Sequence, residues 1–271
     1  MVHPFNLQND GSKTYAQWQF EMGERTLLFY LQKYSIDDML EGKQVLDIGC
    51  GAGGKSLYFA KMGAGYVTGV DVVEKYEDES NSLARELSLS DKFKFVLADA
   101  SKLTFEDESF DTIIMNDAME HVGDPEAVLD ECLRVLCPGG RIFINFPPYN
   151  HPFGAHLSDV IAIPYVHMFF SRKCLIEAYK YLVKDLPDAN ERINFRISKD
   201  EGGREYFSYI NEMTIKRFNK ILKNKNITPA YYKLAPLRGY FSLFARLPVL
   251  REMFVKMVVC VIENGERREE N

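Results

Sequence analysis

A glycine-rich segment contains the residues of this sequence whose types and spacing most clearly indicate chemistry. The stretch "DIGCGAGG" places Gly49, Gly51 and Gly53 directly after a short apolar run. Glycines at such a point let the backbone turn sharply and come close to a ligand. The stretch also satisfies the dinucleotide-binding pattern G-x-G-x-x-G when Gly54 is its last glycine, although this pattern alone is weak. The glycines therefore indicate a ligand-binding loop without deciding the ligand.

Three aspartates discriminate between the candidate ligands. Asp71 follows Gly49 by 22 residues, where a carboxylate can accept hydrogen bonds from the ribose of NAD or of S-adenosylmethionine. Asp99 ends the next apolar run, where it can accept from an adenine amino group. Asp47 precedes the glycines by two residues, and its charge would repel a pyrophosphate but attract a cation. S-adenosylmethionine carries an ammonium and a sulfonium and no phosphate, so Asp47 favours it.

The elements that must position these residues alternate between strands and helices. A helix whose cap is Asp124 and whose first turn contains Pro125 is well marked, and "PGG" is predicted to end it. Apolar runs that stop at turn residues predict strands over 44–49, 66–73, 93–100, 110–117 and 141–146. This alternation implies βαβ units and a parallel sheet covered on both faces.

Four stretches resemble a known family in order and spacing. They are "VLDIGCGAGG", "GVDVV", "VLADA" and "FDTIIMNDAMEHVGDPEAVLDECLRVLCPGGRIFI". They are similar to the class I S-adenosylmethionine-dependent methyltransferases, in particular the small-molecule, type-11-like branch with "EHV" after the fourth strand. The resemblance implies an α/β fold: a Rossmann-like, doubly wound, mostly parallel seven-stranded sheet with an antiparallel last strand and a helical, aromatic lid insertion.

The chain is accordingly predicted to have five segments. A helical cap is followed by the Rossmann-like cofactor-binding core, an acceptor lid, the C-terminal part of the core and a flexible tail. The lid is placed where the regular alternation breaks and aromatic, His and Pro residues accumulate, and two further strands are expected over 227–235 and 256–264. The boundaries are 1–43, 44–146, 147–213, 214–264 and 265–271.

The resemblance implies how the first strand and the glycine loop bind S-adenosylmethionine. Gly49, Gly51 and Gly53 would line its methionine end and ribose, Asp47 would support the loop, and Cys50 would fill space beside the ligand. A purely structural role for the aspartate, as a turn former, is the alternative.

Later strand ends complete the implied cofactor site. Asp71 would bind the ribose, Val72 would pack on the adenine, and Asp99 with the backbone of Ala100 would read the adenine edge. Asn116, just past the fourth strand, would face the methionyl group. A helix cap is the alternative role for Asp99.

Histidines are the candidate general bases. The methyl group of a sulfonium is already activated, so its transfer needs chiefly alignment, and a base is needed only when the acceptor must lose a proton. His121 in "AMEHV" and His156 in "PFGAHL" are the catalytic candidates. The alternatives are a hydrogen bond of His121 that fixes its loop and a structural role of His156 in the lid. Glu120 is interpreted as a helix-start carboxylate.

Aromatic and histidine side chains are predicted to contact the acceptor. Tyr15 and Trp18 form an aromatic face on a helix predicted over 14–34, and Tyr149, His151 and His167 lie in the insertion. Such residues suit an acceptor with apolar or planar area, although core packing explains them equally.

The stretch "INFPPYNH" is similar to the Asn-Pro-Pro-Tyr loop of enzymes that methylate planar amino groups. That loop follows the fourth strand, whereas this stretch follows the fifth, and Phe146 separates Asn145 from Pro147. Two consecutive prolines cannot donate to a sheet ladder and force an extended exit from the strand. We therefore interpret the stretch as the hinge of the lid, which aims Tyr149 and His151 towards the methyl group.

The bulk composition excludes several classes of protein. The 271 residues carry a net charge of −6 without a long basic run, which makes nucleic-acid binding a poor hypothesis. Five cysteines form no metal-binding spacing, which predicts no metal site and reduced thiols in the cytoplasm. Neither a signal peptide nor a membrane span is indicated. The apolar segment 236–258 suggests either peripheral membrane contact or a buried cover or dimer interface.

These observations favour a methyltransferase that acts on a small or medium organic acceptor, with O-methylation slightly favoured over N- or C-methylation. The alternatives are a methyltransferase for RNA, protein or a lipid-linked acceptor, and a non-catalytic module that binds S-adenosylmethionine. An NAD oxidoreductase is disfavoured by Asp47 and by the "AMEHV" region.

Overall fold

A computed structural model describes residues 12–237, 240–248 and 250–265. The predicted tail lies outside the described residues from position 266 onward. The same holds for residues 1–11, to which the signal-peptide prediction applied.

Nine strands are present in the described part of the chain. They are β1 Gln44–Ile48, β2 Tyr66–Asp71, β3 Phe93–Leu97, β4 Phe110–Asn116, β5 Leu136–Phe146, β6 Ile197–Lys199, β7 Glu205–Phe207, β8 Tyr231–Pro236 and β9 Val255–Glu263. Strands β6 and β7 form an antiparallel hairpin of their own.

Twelve helices connect and flank these strands in the described ranges. They are α1 Tyr15–Glu21, α2 Gly23–Leu27, α3 Ile36–Leu40, α4 Gly54–Lys61, α5 Tyr76–Glu86, α6 Pro125–Val135, α7 Val166–Phe169, α8 Arg172–Val183, α9 Ala189–Arg196, α10 Ile215–Asn224, α11 Phe241–Phe244 and α12 Arg251–Phe254.

The other seven strands form one sheet in the order β3-β2-β1-β4-β5-β9-β8. Strands β1 to β5 are parallel, and the last strand, β9, runs antiparallel. The central strands are buried almost throughout, as expected for a parallel sheet covered on both faces. The predicted fold class is therefore confirmed. The Asp124 side chain accepts from two backbone N–H groups at the start of α6, which confirms the predicted cap.

Two predicted elements differ from the structure. Strand β5 begins at Leu136, and "PGG" lies inside it instead of ending the preceding helix. Gly139 N donates to Asn264 O at 2.8 Å and Asn264 N donates to Gly140 O at 2.9 Å, so pairing at the end of β9 extends the strand. The single helix predicted over 14–34 is instead two short helices, α1 and α2, followed by turns.

The chain divides into two compact units. Among the described residues, the sheet unit comprises 12–146, 221–233 and 259–265, and the insertion unit comprises 147–220, 234–237, 240–248 and 250–258. The insertion unit has an apolar core of its own, in which buried side chains of α8 pack with buried residues of the segment 155–166 and with Ile197. The boundaries of the five predicted segments stay a prediction.

Within the described ranges, no helix is long and apolar enough to cross a membrane. The same residues contain no group of three or more His, Cys, Asp or Glu side chains placed to hold a metal ion.

Candidate active site

One edge of the sheet collects the polar residues that the sequence singled out. Asp47 lies in β1, Asp71 is the last residue of β2, and Asn116 is the last residue of β4. Asp99 follows the end of β3 by two residues. Because β3, β2, β1 and β4 are parallel neighbours, their carboxyl ends meet at this edge, which is where ligands bind in open α/β sheets.

The glycine loop after β1 has a backbone that only glycine adopts easily. Gly49, Gly51 and Gly53 have φ angles of 72°, 58° and 75°, in the left-handed region. A Cβ atom on Gly51 would lie 2.6 Å from Gln19 Nε2, and one on Gly53 would lie 2.8 Å from Ser80 Cβ. The loop therefore needs glycine both for its turn and for its close packing, and only its first glycine, Gly49, is exposed at the edge.

We predict that Gly53→Ala lowers the free energy of unfolding by about 2–4 kcal/mol, because left-handed strain adds to overpacking against Ser80. The matched control is Gly42→Ala. Gly42 has a φ of 68° but no heavy atom within 4 Å of the added Cβ, so this variant should lose only about 1–2 kcal/mol. Urea denaturation of both variants measures the difference, and equal losses would refute the packing argument.

Asp71 and Gln19 hold the loop in place. Gly51 N donates to Asp71 Oδ2 at 2.8 Å, and Val73 N donates to Asp71 Oδ1 at 3.0 Å. Burial raises the pKa of Asp71. Gln19 Nε2 donates to the carbonyl of Cys50 at 3.3 Å, and Cys50 itself is buried. A carboxylate has about four lone-pair sites, so Asp71 can still accept bonds from ribose hydroxyls.

Asp47 is a buried carboxyl below the loop. Asp47 is only 4% exposed, and Ser56 Oγ donates a hydrogen bond to Asp47 Oδ2 at 2.6 Å. Burial raises its pKa to about 6. A cation brought close would favour the ionised form, so the position suits a positively charged ligand.

We predict that Asp47→Asn stabilises the cofactor-free protein above pH ~7 by up to about 3 kcal/mol. Because the pKa of Asp47 is raised, the native state keeps this proton to higher pH than the unfolded chain does. Its contribution is complete below about pH 4 and is lost as the pH rises through about 6. Urea unfolding across this window checks the prediction, and parallel pH profiles of wild type and variant would contradict it. The same variant should bind S-adenosylmethionine more weakly.

The ends of β2 and β3 leave apolar side chains uncovered beside polar groups. Val72 is 68% exposed and Leu97 is also exposed, whereas Ala100 is buried. Asp99 Oδ1 accepts from Ser101 N at 2.8 Å, which lowers the pKa of Asp99. The residues that follow form a turn, so this aspartate does not cap a helix. Uncovered apolar surface next to an acceptor is the environment that an adenine ring needs.

Asn116 belongs to a buried hydrogen-bond network. Its Oδ1 accepts from Tyr30 OH at 2.7 Å and from Asn145 Nδ2 at 2.5 Å. Asn145 Nδ2 also donates to Tyr30 OH at 3.0 Å. The Nδ2 atom of Asn116 is buried without a hydrogen-bond partner among the described residues. A buried donor of this kind at the ligand edge is expected to be satisfied by a bound molecule.

Comparisons with known proteins agree with this geometry. A family described as "Methyltransferase domain" matches residues 46–144. The chain is 37% identical over 127 residues to a ubiquinone biosynthesis O-methyltransferase of Coxiella burnetii, covering 47% of this chain and 52% of that protein. It is 40% identical over 99 residues to a sterol 24-C-methyltransferase of Gibberella zeae, covering 36% and 26%. The chain thus spans about half, or less, of the length of these relatives.

A solved structure with the same fold is a SAM-dependent methyltransferase from Methanosarcina mazei. Its TM-score is 0.51 at 22% identity, with 84% of this chain and 95% of that chain covered. Residues 46–144 form a methyltransferase domain. The glycine loop with its exposed Gly49, the buried carboxyl of Asp47 and the unsatisfied amide of Asn116 all fit S-adenosylmethionine as the ligand of this edge.

Glu120 of the methyltransferase domain was interpreted wrongly from the sequence. The helix that follows begins at Pro125 with Asp124 as its cap, so Glu120 starts no helix. Its carboxylate is buried, and neither oxygen has a hydrogen-bond partner among the described residues. Burial, and after it the charge of Asp117, raises its pKa well above the usual range. His121 Nε2 lies 3.8 Å from Glu120 Oε1, so the imidazole and the carboxyl are close neighbours.

Tyr15 and Trp18, predicted as acceptor contacts, lie on α1. Their rings stack with centroids 5.9 Å apart, and the Tyr15 ring also packs on Tyr76 at 5.8 Å. An atom of the Tyr15 ring lies 3.4 Å from the position of a Cβ on Gly51. The structure therefore brings Tyr15 to the cofactor loop of the methyltransferase domain, and acceptor contact by these two residues stays a prediction.

The insertion unit brings together three of its predicted substrate residues. The rings of Tyr149 and His167 lie 4.7 Å apart. Burial, with the charges of Lys256 and His167, lowers the pKa of His151 to about 4, and its Nδ1 accepts from Phe153 N at 3.2 Å. Burial also lowers the pKa of His167 and raises the pKa of Tyr149 to about 12. The three groups are therefore neutral near pH ~7.

His156 occupies a different place in the insertion unit. It has a φ of 52°, and its ring lies 6.2 Å from that of Tyr209. Tyr209 OH donates to the carbonyl of Ala155. A residue other than glycine is strained in the left-handed region, so the surrounding packing must hold His156 in this conformation. The contact with Tyr209 supports the structural alternative, and the catalytic role of His156 stays a prediction.

Proposed function

We propose that the protein transfers the methyl group of S-adenosylmethionine to a hydroxyl oxygen of a small or medium organic acceptor. The observation that carries the proposal is the glycine loop with Asp47, Asp71, Asp99 and Asn116 at one sheet edge, next to the Glu120–His121 pair. The relatives support a small-molecule acceptor, since one acts in ubiquinone biosynthesis and one on a sterol. The names of these relatives differ in the atom that is methylated. His121 beside the sheet edge favours an oxygen acceptor, because a hydroxyl must lose its proton during methylation and a histidine can accept that proton.

Bound S-adenosylmethionine supplies an activated methyl group on a cationic sulfur. In the proposal, Asp71 orients the ribose while it fixes Gly51, and Asp47 stabilises the positive end of the cofactor. His121 accepts the proton of the acceptor hydroxyl as the methyl–oxygen bond forms and the methyl–sulfur bond breaks. Glu120 Oε1 lies 3.8 Å from His121 Nε2, so the imidazolium formed in this step would favour ionisation of that buried carboxyl, whose pKa is otherwise raised.

The insertion unit supplies acceptor contacts in this proposal. Tyr149 and His167 offer a paired aromatic surface, and His151 offers a neutral imidazole. Neutral aromatic groups suit an acceptor with a planar or apolar body better than a charged one. We also propose a cytoplasmic location, supported by the five cysteines, all of which lie in the described ranges and are free thiols.

Turnover with methyl-labelled S-adenosylmethionine tests the proposal. The purified full chain is incubated with separate panels of phenols, alcohols and amines, and labelled product and S-adenosylhomocysteine are quantified. We expect labelled ethers from at least one hydroxyl-bearing acceptor. Products from amines alone would overturn the oxygen preference. Tight cofactor binding by calorimetry without turnover on any panel would identify a non-catalytic binding module instead.

A further inference from the structure

The basic residues of this acidic protein are unevenly distributed. The segment 213–256 holds ten of its 33 Lys and Arg residues but only one of its 39 Asp and Glu residues, Glu252. Outside this segment acidic residues are therefore in clear excess. The overall charge of −6 therefore includes a strongly positive segment, in which the Lys and Arg residues are spaced along the chain instead of forming one uninterrupted run.

The parts of this segment that belong to the insertion unit, 213–220 and 234–256, expose large apolar side chains. Tyr240 is 90% exposed and Leu243 is 62% exposed, although both are side chains that proteins usually cover. The ring centroids of Phe241 and Phe244 lie 5.6 Å and 5.1 Å from the ring centroid of Phe254. One face of helix α11 therefore packs against α12. The other face of α11 projects apolar groups outward.

Hydrogen bonds connect this apolar face to basic residues. Glu252 of α12 accepts from the backbone N–H groups of Ile215 and Lys216 at 3.2 Å and 2.8 Å, which fixes α12 against the start of α10. That first turn of α10 carries the exposed side chains of Lys216 and Arg217. The single acidic residue of the segment is thus hydrogen-bonded internally, and the segment's other charged side chains are all basic.

A second exposed apolar stretch is attached to the same helix. Tyr165 OH donates to the carbonyl of Met253 in α12 at 3.0 Å. Immediately after Tyr165, helix α7 exposes Phe169 and is followed by the exposed Phe170. The residue before α7 is thus hydrogen-bonded to α12, and α11 packs against α12. Both α7 and α11 carry exposed aromatic side chains.

We propose that this surface, centred on α11 and the start of α10, docks onto an anionic phospholipid bilayer. Aromatic and aliphatic side chains next to Lys and Arg are the combination that binds in the interfacial layer, where rings enter the headgroup region and cations meet lipid phosphates. A nucleic acid would be attracted by the same charges but would leave the aliphatic Leu243 and Leu247 without a partner.

Flotation of the full chain with vesicles tests the docking surface. Vesicles of phosphatidylcholine alone are compared with vesicles of equal parts phosphatidylcholine and phosphatidylserine, at low and high salt. Wild type should float with the anionic vesicles, and less at high salt because exposed charges are screened. The double variant Tyr240→Ser, Leu243→Ser and the charge variant Lys216→Glu, Arg217→Glu should each partition about tenfold or more weakly.

The matched control is Tyr181→Ser with Leu182→Ser, which removes a similar exposed pair from α8, outside the basic segment. It should float like wild type. The proposal is overturned if wild type fails to float with anionic vesicles, or if the α8 and α11 pairs reduce flotation equally. It is also overturned if the α11 pair instead changes the sedimentation coefficient of a dimer, or if only RNA, and no vesicle, is bound in a salt-dependent way.

Discussion

Asp71→Ala is expected to raise the dissociation constant for S-adenosylhomocysteine by about 100-fold or more. Asp71 accepts from Gly51 N and Val73 N, so its loss frees the glycine loop in addition to removing the predicted ribose contact. A hydrogen bond to a charged group contributes about 1.5–3 kcal/mol, and each 1.4 kcal/mol is about tenfold in affinity. Isothermal titration calorimetry measures the change.

Asp111→Ala is the matched control for this experiment. Asp111 also accepts from a backbone N–H, that of Gln44 at 2.9 Å, but it lies at the beginning of β4, away from the carboxyl ends of the strands. Its loss should affect stability and leave affinity within about twofold. His156→Ala, in the insertion unit, should likewise bind almost normally. Equal weakening by all three variants would contradict the assignment of Asp71 to the cofactor.

His121→Gln is expected to lower kcat with a hydroxyl acceptor by about 100-fold or more, which is the usual contribution of a general base. Calorimetry should show nearly unchanged affinity for S-adenosylhomocysteine, because the prediction assigns His121 to the acceptor proton. The loss should shrink as the pH rises towards the pKa of the acceptor, since an ionised acceptor needs no base.

His151→Gln provides the histidine control for this series. Burial and neighbouring charges lower the pKa of His151 to about 4, which makes it a weak base near neutrality. The control variant should alter KM more than kcat, in keeping with acceptor contact. A pH-independent loss of kcat in His121→Gln would assign His121 to fixing its loop, the alternative left open by the sequence.

Several site residues were not identified as functional from the sequence. Gln19 bonds to the glycine loop, and Tyr30 and Asn145 bond to Asn116. The partners are separated by 31, 86 and 29 residues, and nothing in the local sequence marks them. Glu120 was noticed but misinterpreted, because a carboxylate before a helix is ordinarily solvated. The only indication that Glu120 has a special role was its place in "EHV", one of the stretches that carry the family resemblance.

The sequence by itself determined the sheet and the edge at which the predicted site residues lie together. Strands that stop at glycine or aspartate, separated by helices, must be parallel, and parallel strands bring their carboxyl ends together. Asp47, Asp71 and the glycines therefore fall at one edge from local pattern alone. The tertiary structure decided which polar groups are buried, which hydrogen bonds they make and which apolar side chains stay exposed. Burial and long-range hydrogen bonds depend on segments that are distant in sequence. A local pattern therefore cannot specify that the carboxyl of Glu120 is buried without a hydrogen-bond partner among the described residues, or that one face of α11 stays exposed.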